Sequence, residues 1–109
     1  MKYITDILVD KMVRNDMESI SAEYDASEKA KVLNYLKKFK ASLFTTEPVI
    51  DVFTGRQVAD ADNGYTDGKY TWFESEVYYF EHYDLKLEKD FFELAKKASW
   101  KGCFFHAQN

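Results

Sequence analysis

Residues 64–92 read GYTDGKYTWFESEVYYFEHYDLKLEKDFF, and this stretch carries the signals that decide the fold. Asp67 and Gly68 separate two runs of β-prone residues, and a two-residue Asp-Gly loop is a strong signal for a hairpin with a type I′ turn. In the strand that follows, Tyr70 and Trp72 lie on one face because side chains alternate along a strand. The stretch therefore predicts a β-hairpin whose second strand turns this aromatic face to the core.

The hydrophobic period changes from two to 3.6 at Phe73, which predicts a helix over residues 73–84. Its apolar arc consists of Phe73, Val77, Phe80 and Tyr83, with Tyr79 at the edge. The alternating Leu85 and Leu87 predict a short extended link. A further helix is predicted over residues 89–99, since acidic residues suit its positive end and Gly102 suits a helix stop or the bend shortly after one.

The same stretch carries a motif that resembles one found in many small bacterial proteins of uncharacterised function. The motif reads Tyr65-Thr66-Asp67-Gly68-x-Tyr70-x-Trp72, then Val77-Tyr78-Tyr79-Phe80-Glu81-x-Tyr83-x-Leu85-x-Leu87. Some of those proteins are similar to immunity proteins of contact-dependent or polymorphic toxin systems. The chain departs from the motif at Glu88, where a proline is common. The resemblance implies a small inhibitor of a bacterial toxin.

The composition predicts one folded domain over residues 1–109. With 46% hydrophobic and 17% aromatic residues, a chain of 109 residues can build a core of its own. No apolar run approaches the length of about 20 residues that crosses a bilayer. The single cysteine, Cys103, cannot form an internal disulfide, which fits a cytoplasmic location.

The remaining segments predict two more helices and the rest of a small sheet. Ile4, Leu8 and Met12 recur at helical spacing, so a helix is expected over residues 3–14. A second is expected over residues 28–43, with Ser27 as its N-cap and a buried stripe on its apolar face. That stripe consists of Val32, Leu36, Phe39 and Leu43. Residues 15–26 have weak periodicity and fit either a helix or a loop.

Residues 49–53 predict a strand that turns at Thr54 and Gly55 and returns over residues 56–59. The glycines cluster here, so a small antiparallel sheet is expected around residues 49–72. The sequence therefore predicts an α+β, mostly helical single domain with a small antiparallel β-hairpin or sheet.

Charge is distributed unevenly along the chain. The net charge is −4, but residues 45–93 carry 12 acidic and 4 basic residues, whereas residues 1–44 are close to neutral. An acidic block of this kind argues against nucleic acid as its partner and favours a cationic one.

No motif for catalysis, a metal or a cofactor emerges. Asp60 and Asp62 resemble the start of a calcium loop, but Tyr65 and Thr71 stand where an EF-hand needs its glycine and glutamate. The two histidines, His82 and His106, have no zinc-ligand spacing. The chain also has no glycine-rich phosphate loop. We therefore expect no enzyme activity, no catalytic residues and no cofactor.

The outward face of the 73–84 helix is the candidate partner-binding surface. Glu74, Tyr78 and His82 follow one another at i, i+4 and i+8, with Glu81 beside them. Tyrosine is enriched at binding hot spots, and acidic groups around it steer a basic partner. Loop carboxylates extend this candidate surface, namely Asp60, Asp62 and Asp67.

Two functions remain open from the sequence. The first is an immunity-type inhibitor, a monomer or weak homodimer that docks its acidic surface on a basic, nuclease-like toxin and binds neither nucleic acid nor membrane. The second is a small-ligand-binding or enzymatic domain with a pocket between the hairpin and the 73–84 helix. Its walls would be the tyrosines Tyr70, Tyr79 and Tyr83.

Overall fold

The computed structural model describes residues 2–7 and 20–108, with side chains described up to residue 98. This part of the chain forms short strands and three helices. In chain order they are β1 (Lys2–Tyr3), α1 (Ala26–Lys37), β2 (Val49–Ile50), β3 (Gln57–Ala59), β4 (Gly64–Thr66), β5 (Tyr70–Phe73), α2 (Glu74–Tyr83) and α3 (Lys89–Gln108). The predicted α+β class is confirmed.

The strands form two small sheets. β5 lies in the middle of the first, with β4 antiparallel on one side and β1 parallel on the other. The second is an antiparallel ribbon of β2 and β3, as the pattern of residues 49–59 predicts. Its turn contains Gly55 at a φ of 76°, a conformation that glycine adopts without steric cost.

The turn of the β4–β5 hairpin differs from the predicted one. Thr66 pairs with Thr71, so the two-residue loop is Gly68 and Lys69 rather than Asp67 and Gly68. Gly68 has a φ of 97°, whereas no positive φ is found at Lys69, which excludes the predicted type I′ turn. The Asp67 side chain instead accepts the N–H groups of Lys69 at 2.8 Å and Tyr70 at 2.7 Å. Asp67 therefore closes the turn with its carboxylate.

We expect Gly68→Ala to destabilise the protein by about 1–2 kcal/mol, because a Cβ disfavours this positive φ. A Cβ added at Gly68 would meet no atom within 4 Å, so the cost is conformational alone. Urea unfolding measures it, with Lys69→Ala as the matched control in the same turn. An unfolding free energy equal to that of the wild type would contradict the turn geometry.

The aromatic face of β5 lies in the core, as predicted. Tyr70 and Trp72 are 1% and 0% exposed, and both rings pack against Phe91 of α3 at centroid distances of 5.0 and 5.6 Å. Helices α1 and α2 cover the same core with Leu36 and Phe80. The hairpin, α2 and α3 thus share one aromatic cluster that fixes their relative positions.

Helix α1 is shorter than predicted, and its cap is a different residue. Its N-cap is Asp25, whose side chain accepts the N–H groups of Ser27 and Glu28, so the assignment of Ser27 as the cap is wrong. The helix ends at Lys37, because Leu43 pairs with Gly64 at the edge of β4. As a result Leu43, predicted in the buried stripe, is 52% exposed.

The predicted helix over residues 3–14 is wrong where the structure describes it. Lys2 and Tyr3 form β1, and residues 4–7 are not helical. The N–H of Lys2 donates to the carbonyl of Lys69 at 3.2 Å, and the carbonyl of Ile4 accepts the N–H of Glu88 at 2.7 Å, so tertiary backbone hydrogen bonds stand in place of local helical ones. Residues 8–14 lie outside the described residues.

Two further boundaries are settled by the structure. Residues 21–25 are not helical, and Ser21 forms a β-bridge with Leu85 in the link between α2 and α3. The helix predicted over residues 89–99 continues to Gln108 and passes through Gly102, so the predicted stop at that glycine is wrong. Residues 15–19 lie outside the described part.

Candidate functional site

One part of the acidic block, residues 45–76, has carboxyl groups without ion-pair partners in the described part of the folded protein. Residues 45–76 contain seven carboxyl side chains and two basic ones. The seven are Glu47, Asp51, Asp60, Asp62, Asp67, Glu74 and Glu76. Within the described ranges, none of them forms an ion pair; the four ion pairs found there join lysines of α1 and α3 to other carboxylates. This segment is therefore the source of an uncompensated negative field.

The predicted strip on α2 is largely engaged by the protein itself. Glu74 accepts the hydroxyl of Tyr65, and Tyr78 donates its hydroxyl to Asp51 at 2.6 Å. Glu81 accepts the ammonium group of Lys37 at 2.9 Å. His82 is the exposed member of the strip, and its ring packs on Tyr78 with centroids 4.5 Å apart.

The three predicted loop carboxylates have different surroundings. Asp60 is exposed and accepts the side-chain amide of Gln57 at 3.2 Å. Asp62 accepts the backbone N–H and the hydroxyl of Ser75, which satisfies a donor at the start of α2. Asp67 closes the hairpin turn and accepts the hydroxyl of Tyr35 at 2.7 Å. Of the three, Asp60 is the one whose removal leaves the backbone hydrogen bonds intact.

The structure also contains a buried carboxylate that sequence reasoning missed. Asp51 is 0% exposed, and one of its oxygens accepts the hydroxyls of Tyr78 and Tyr83, each at 2.6 Å. The other oxygen accepts the N–H groups of Phe53 and Thr54. Asp51 stands three residues before Thr54 and Gly55, and an aspartate just before a turn commonly accepts the N–H groups of that turn. This pattern could have identified Asp51 in the sequence.

The electrostatics of Asp51 follow from these four hydrogen bonds. Burial raises the pKa of the Asp51 carboxyl, but the two hydroxyl and two N–H donors outweigh burial, so the pKa lies below its usual value. Burial and the Asp51 charge raise the pKa of Tyr78, and the hydrogen bond to Asp51 raises that of Tyr83 to about 12. Asp51 is therefore ionised and both hydroxyls keep their protons at neutral pH.

Asp51, Tyr78 and Tyr83 belong to the wall of a cavity of about 420 Å³ beneath the β2–β3 ribbon. The rest of its described lining is Thr54, Arg56, Gln57, Val58 and His82. This cavity is not the tyrosine-walled pocket predicted between the hairpin and the 73–84 helix, because it lies against the β2–β3 ribbon. Tyr83 lines this cavity, whereas Tyr70 and Tyr79 are buried in the core and line neither of the two cavities described in this section.

A second and larger cavity, of about 830 Å³, lies at the other end of α2. Its walls come from the start of the chain, from residues 45 and 47, from the loop before β4 and from the first turn of α2. The described lining consists of Lys2, Tyr3, Thr5, Asp6, Ile7, Thr45, Glu47, Asp62, Phe73, Ser75, Glu76 and Glu88. Five of these residues carry a carboxyl group, and Lys2 alone among them is basic.

Glu76 is the most deeply buried carboxyl group of the second cavity, at 6% exposure. Its Oε1 accepts the backbone N–H of Phe73 at 2.9 Å and so caps α2. Burial raises the pKa of Glu76 to about 7; the N–H of Phe73 opposes this shift and the negative charge of Asp62 adds to it. Glu76 therefore exchanges its proton near neutral pH.

Among the described residues, no group of three or more histidine, cysteine or acidic side chains is placed to hold a metal ion. No helix in the described part of the chain is both long and apolar enough to cross a bilayer.

Comparison of the chain with protein-family models, curated proteins and solved structures found no match. The resemblance to immunity proteins of toxin systems therefore stays a prediction from the motif.

Proposed function

We propose that this protein is an immunity-type inhibitor that binds a basic, nuclease-like bacterial toxin through an acidic surface. The observation that carries the proposal is the uncompensated charge of residues 45–76, whose seven carboxylates form no ion pair in the part of the chain that the structure describes. Toxins that hold nucleic-acid backbones are basic, so a field of this sign attracts them and speeds association.

Exposed aromatic side chains next to the acidic groups support the same proposal. Tyr3, which lines the larger cavity, is 61% exposed, and Phe44, the neighbour of Thr45 in the chain, is 76% exposed. Buried aromatic anchors carry much of the energy in protein interfaces, and charges around them set the orientation. The binding surface that we propose therefore extends from the outward face of α2 to the exposed rings of Tyr3 and Phe44.

In the proposed mechanism the acidic face docks over or beside the substrate cleft of the toxin and blocks access of the nucleic acid. The inhibitor needs no catalytic group or cofactor for this role. We propose that it acts in the cytoplasm as a monomer or weak homodimer.

The test is the affinity of this protein for a basic toxin. Candidate toxins are identified by pull-down and by expressing toxin-like products of neighbouring genes. We expect the double variant Glu47→Lys/Asp60→Lys to lower affinity at least tenfold, because both carboxylates are exposed and each reversal turns attraction into repulsion. Isothermal titration calorimetry measures the loss of affinity at low salt, and a repeat at high salt shows how far salt screens the charge interaction.

The matched control is Glu23→Lys/Asp90→Lys, which reverses two exposed carboxylates outside residues 45–76. This control changes the net charge of the protein by the same amount. Equal affinity of the two double variants, with both folded, would reject a localised acidic surface. Charge reversal at Asp67 or Glu74 is a poor test, since both carboxylates accept internal hydrogen bonds.

A second candidate function rests on the smaller cavity. The hydroxyls of Tyr78 and Tyr83 converge at Asp51, and Arg56 and His82 line the same space, so a small polar ligand could bind there. Thermal-shift screening with polar metabolites tests this function, because a ligand bound to the folded state raises Tm.

A further inference from the structure

The larger cavity has the size and the charge of a ligand site. Its volume of about 830 Å³ lies in the range of about 300–1,000 Å³ that is typical of pockets for organic groups. Five carboxyl groups line it against one ammonium group, that of Lys2. The charge balance selects a cation, and the volume is far larger than a bare metal ion requires.

One carboxylate in its wall has an oxygen left over for a ligand. Glu76 is 6% exposed; its Oε1 accepts the backbone N–H of Phe73, and its Oε2 accepts no hydrogen bond from the described residues. A carboxylate held in a largely buried position costs free energy unless donors satisfy its oxygens. Glu76 lines the cavity, so a donor bound there would satisfy the second oxygen.

The apolar part of the wall narrows the choice of cation. Tyr3, Ile7 and Phe73 line the cavity beside the carboxylates, which suits a cation carried on an aliphatic or planar stem. A guanidinium group is planar, offers five donors and pairs with carboxylates in two-pronged geometry. It is also less strongly hydrated than an ammonium group, so its transfer into a partly buried site costs less.

We propose that this cavity binds the guanidinium group of an arginine side chain presented by the protein partner, with Glu76 and Asp62 as its acceptors. The inference rests on the proposed inhibitor function and names the group of the basic partner that the inhibitor recognises. The Lys2 ammonium group opposes the incoming cation, and the Asp6, Glu47 and Glu88 carboxylates outweigh it.

The chemistry is testable without the partner. The full-length ¹⁵N-labelled protein is titrated with N-acetyl-arginine amide, and the neutral isostere N-acetyl-citrulline amide serves as the matched probe. We expect saturable amide shifts in residues 45–47 and 73–76 for the arginine probe, and affinity at least tenfold weaker for citrulline. Absence of saturable shifts, or equal binding of the two probes, would overturn the proposal.

The variant Glu76→Gln isolates the buried carboxylate. Its amide oxygen still accepts the N–H of Phe73, so the cap of α2 is preserved while the charge is removed. We expect about fivefold to tenfold weaker binding of the arginine probe, and no change for Asp90→Asn, which removes an exposed charge of α3. Unchanged binding in a folded Glu76→Gln protein would remove Glu76 as an acceptor.

Titration with spermidine tests whether the cavity binds a small organic cation instead of an arginine side chain. Binding of spermidine at the same residues, with no shifts caused by N-acetyl-arginine amide, would overturn the arginine assignment and leave a polyamine site.

The inhibitor function and the cavity inference can fail independently of each other. If Glu76→Gln binds a basic partner like the wild type while Glu47→Lys/Asp60→Lys does not, the cavity inference fails and the inhibitor function stands. If the arginine probe binds but no basic partner exists, the guanidinium site stands, while its assignment to a protein partner and the inhibitor function both fail.

Discussion

Replacing Asp51 by alanine is expected to lower the free energy of unfolding by about 3–5 kcal/mol. The carboxylate is 0% exposed and accepts four hydrogen bonds. Two come from N–H groups in the turn of the β2–β3 ribbon and two from tyrosine hydroxyls of α2, so the carboxylate joins the ribbon to the helix. Alanine leaves the hydroxyls of Tyr78 and Tyr83 and two backbone N–H groups without their acceptor. Urea unfolding at neutral pH measures the loss.

Removing one tyrosine hydroxyl at a time measures how much each hydrogen bond to Asp51 contributes to the free energy of unfolding. Tyr78→Phe and Tyr83→Phe each remove one donor to the same oxygen, and we expect each to cost about 1–2 kcal/mol because one hydroxyl remains to satisfy Asp51. The two losses should not add in the double variant, since the donors share an acceptor. An Asp51→Ala protein within 1 kcal/mol of the wild type would show that this carboxylate does not hold the ribbon.

The second large effect is a dependence of stability on pH that comes from Glu76. Its pKa is about 7 in the folded protein against 4.5 for the ordinary side chain, so between these values the folded state holds a proton that the unfolded state has released. Stability therefore falls as pH rises through this window, by up to about 3 kcal/mol at 1.36 kcal/mol for each pH unit. Glu76→Gln should lack this fall and be the more stable protein at about pH 8.

The difference between the two proteins, rather than the slope of either, reports on Glu76. Every other ionisable group is present in both proteins and so cancels in the difference. Asp51 and Asp67, whose pKa values are held below the usual range by their hydrogen bonds, stay ionised between about pH 5 and 8. Chemical unfolding across that range measures the effect, and parallel profiles for wild type and Glu76→Gln would exclude a buried proton at this site.

Local patterns in the sequence were sufficient for the elements that bury one face. The alternation of Tyr70 and Trp72 and the helical period of Val77 and Phe80 both predict the faces that the structure buries. The Thr54-Gly55 turn is confirmed as well, because a positive φ favours glycine whatever surrounds it. These features depend on side-chain period and local backbone sterics, which neighbouring residues determine.

Features that depend on distant partners could not be read in this way. The spacing of Ile4 predicts a helix, yet the preceding residues pair with β5, because the backbone donors there find acceptors far along the chain. The outward face of α2 was predicted from the helical period alone, and the period does not show that Asp51 accepts Tyr78 or that Lys37 pairs with Glu81.

The candidate site shows the same division. The sequence by itself determined the acidic character of residues 45–93, since charge depends on composition alone. Only the tertiary structure decided that Asp67 accepts the hydroxyl of Tyr35, that Asp51 joins a ribbon to a helix, and that Glu76 lies buried in an acidic cavity. The physical reason is that the surroundings of a carboxylate are set by segments that folding brings together, and these segments lie far apart in the chain.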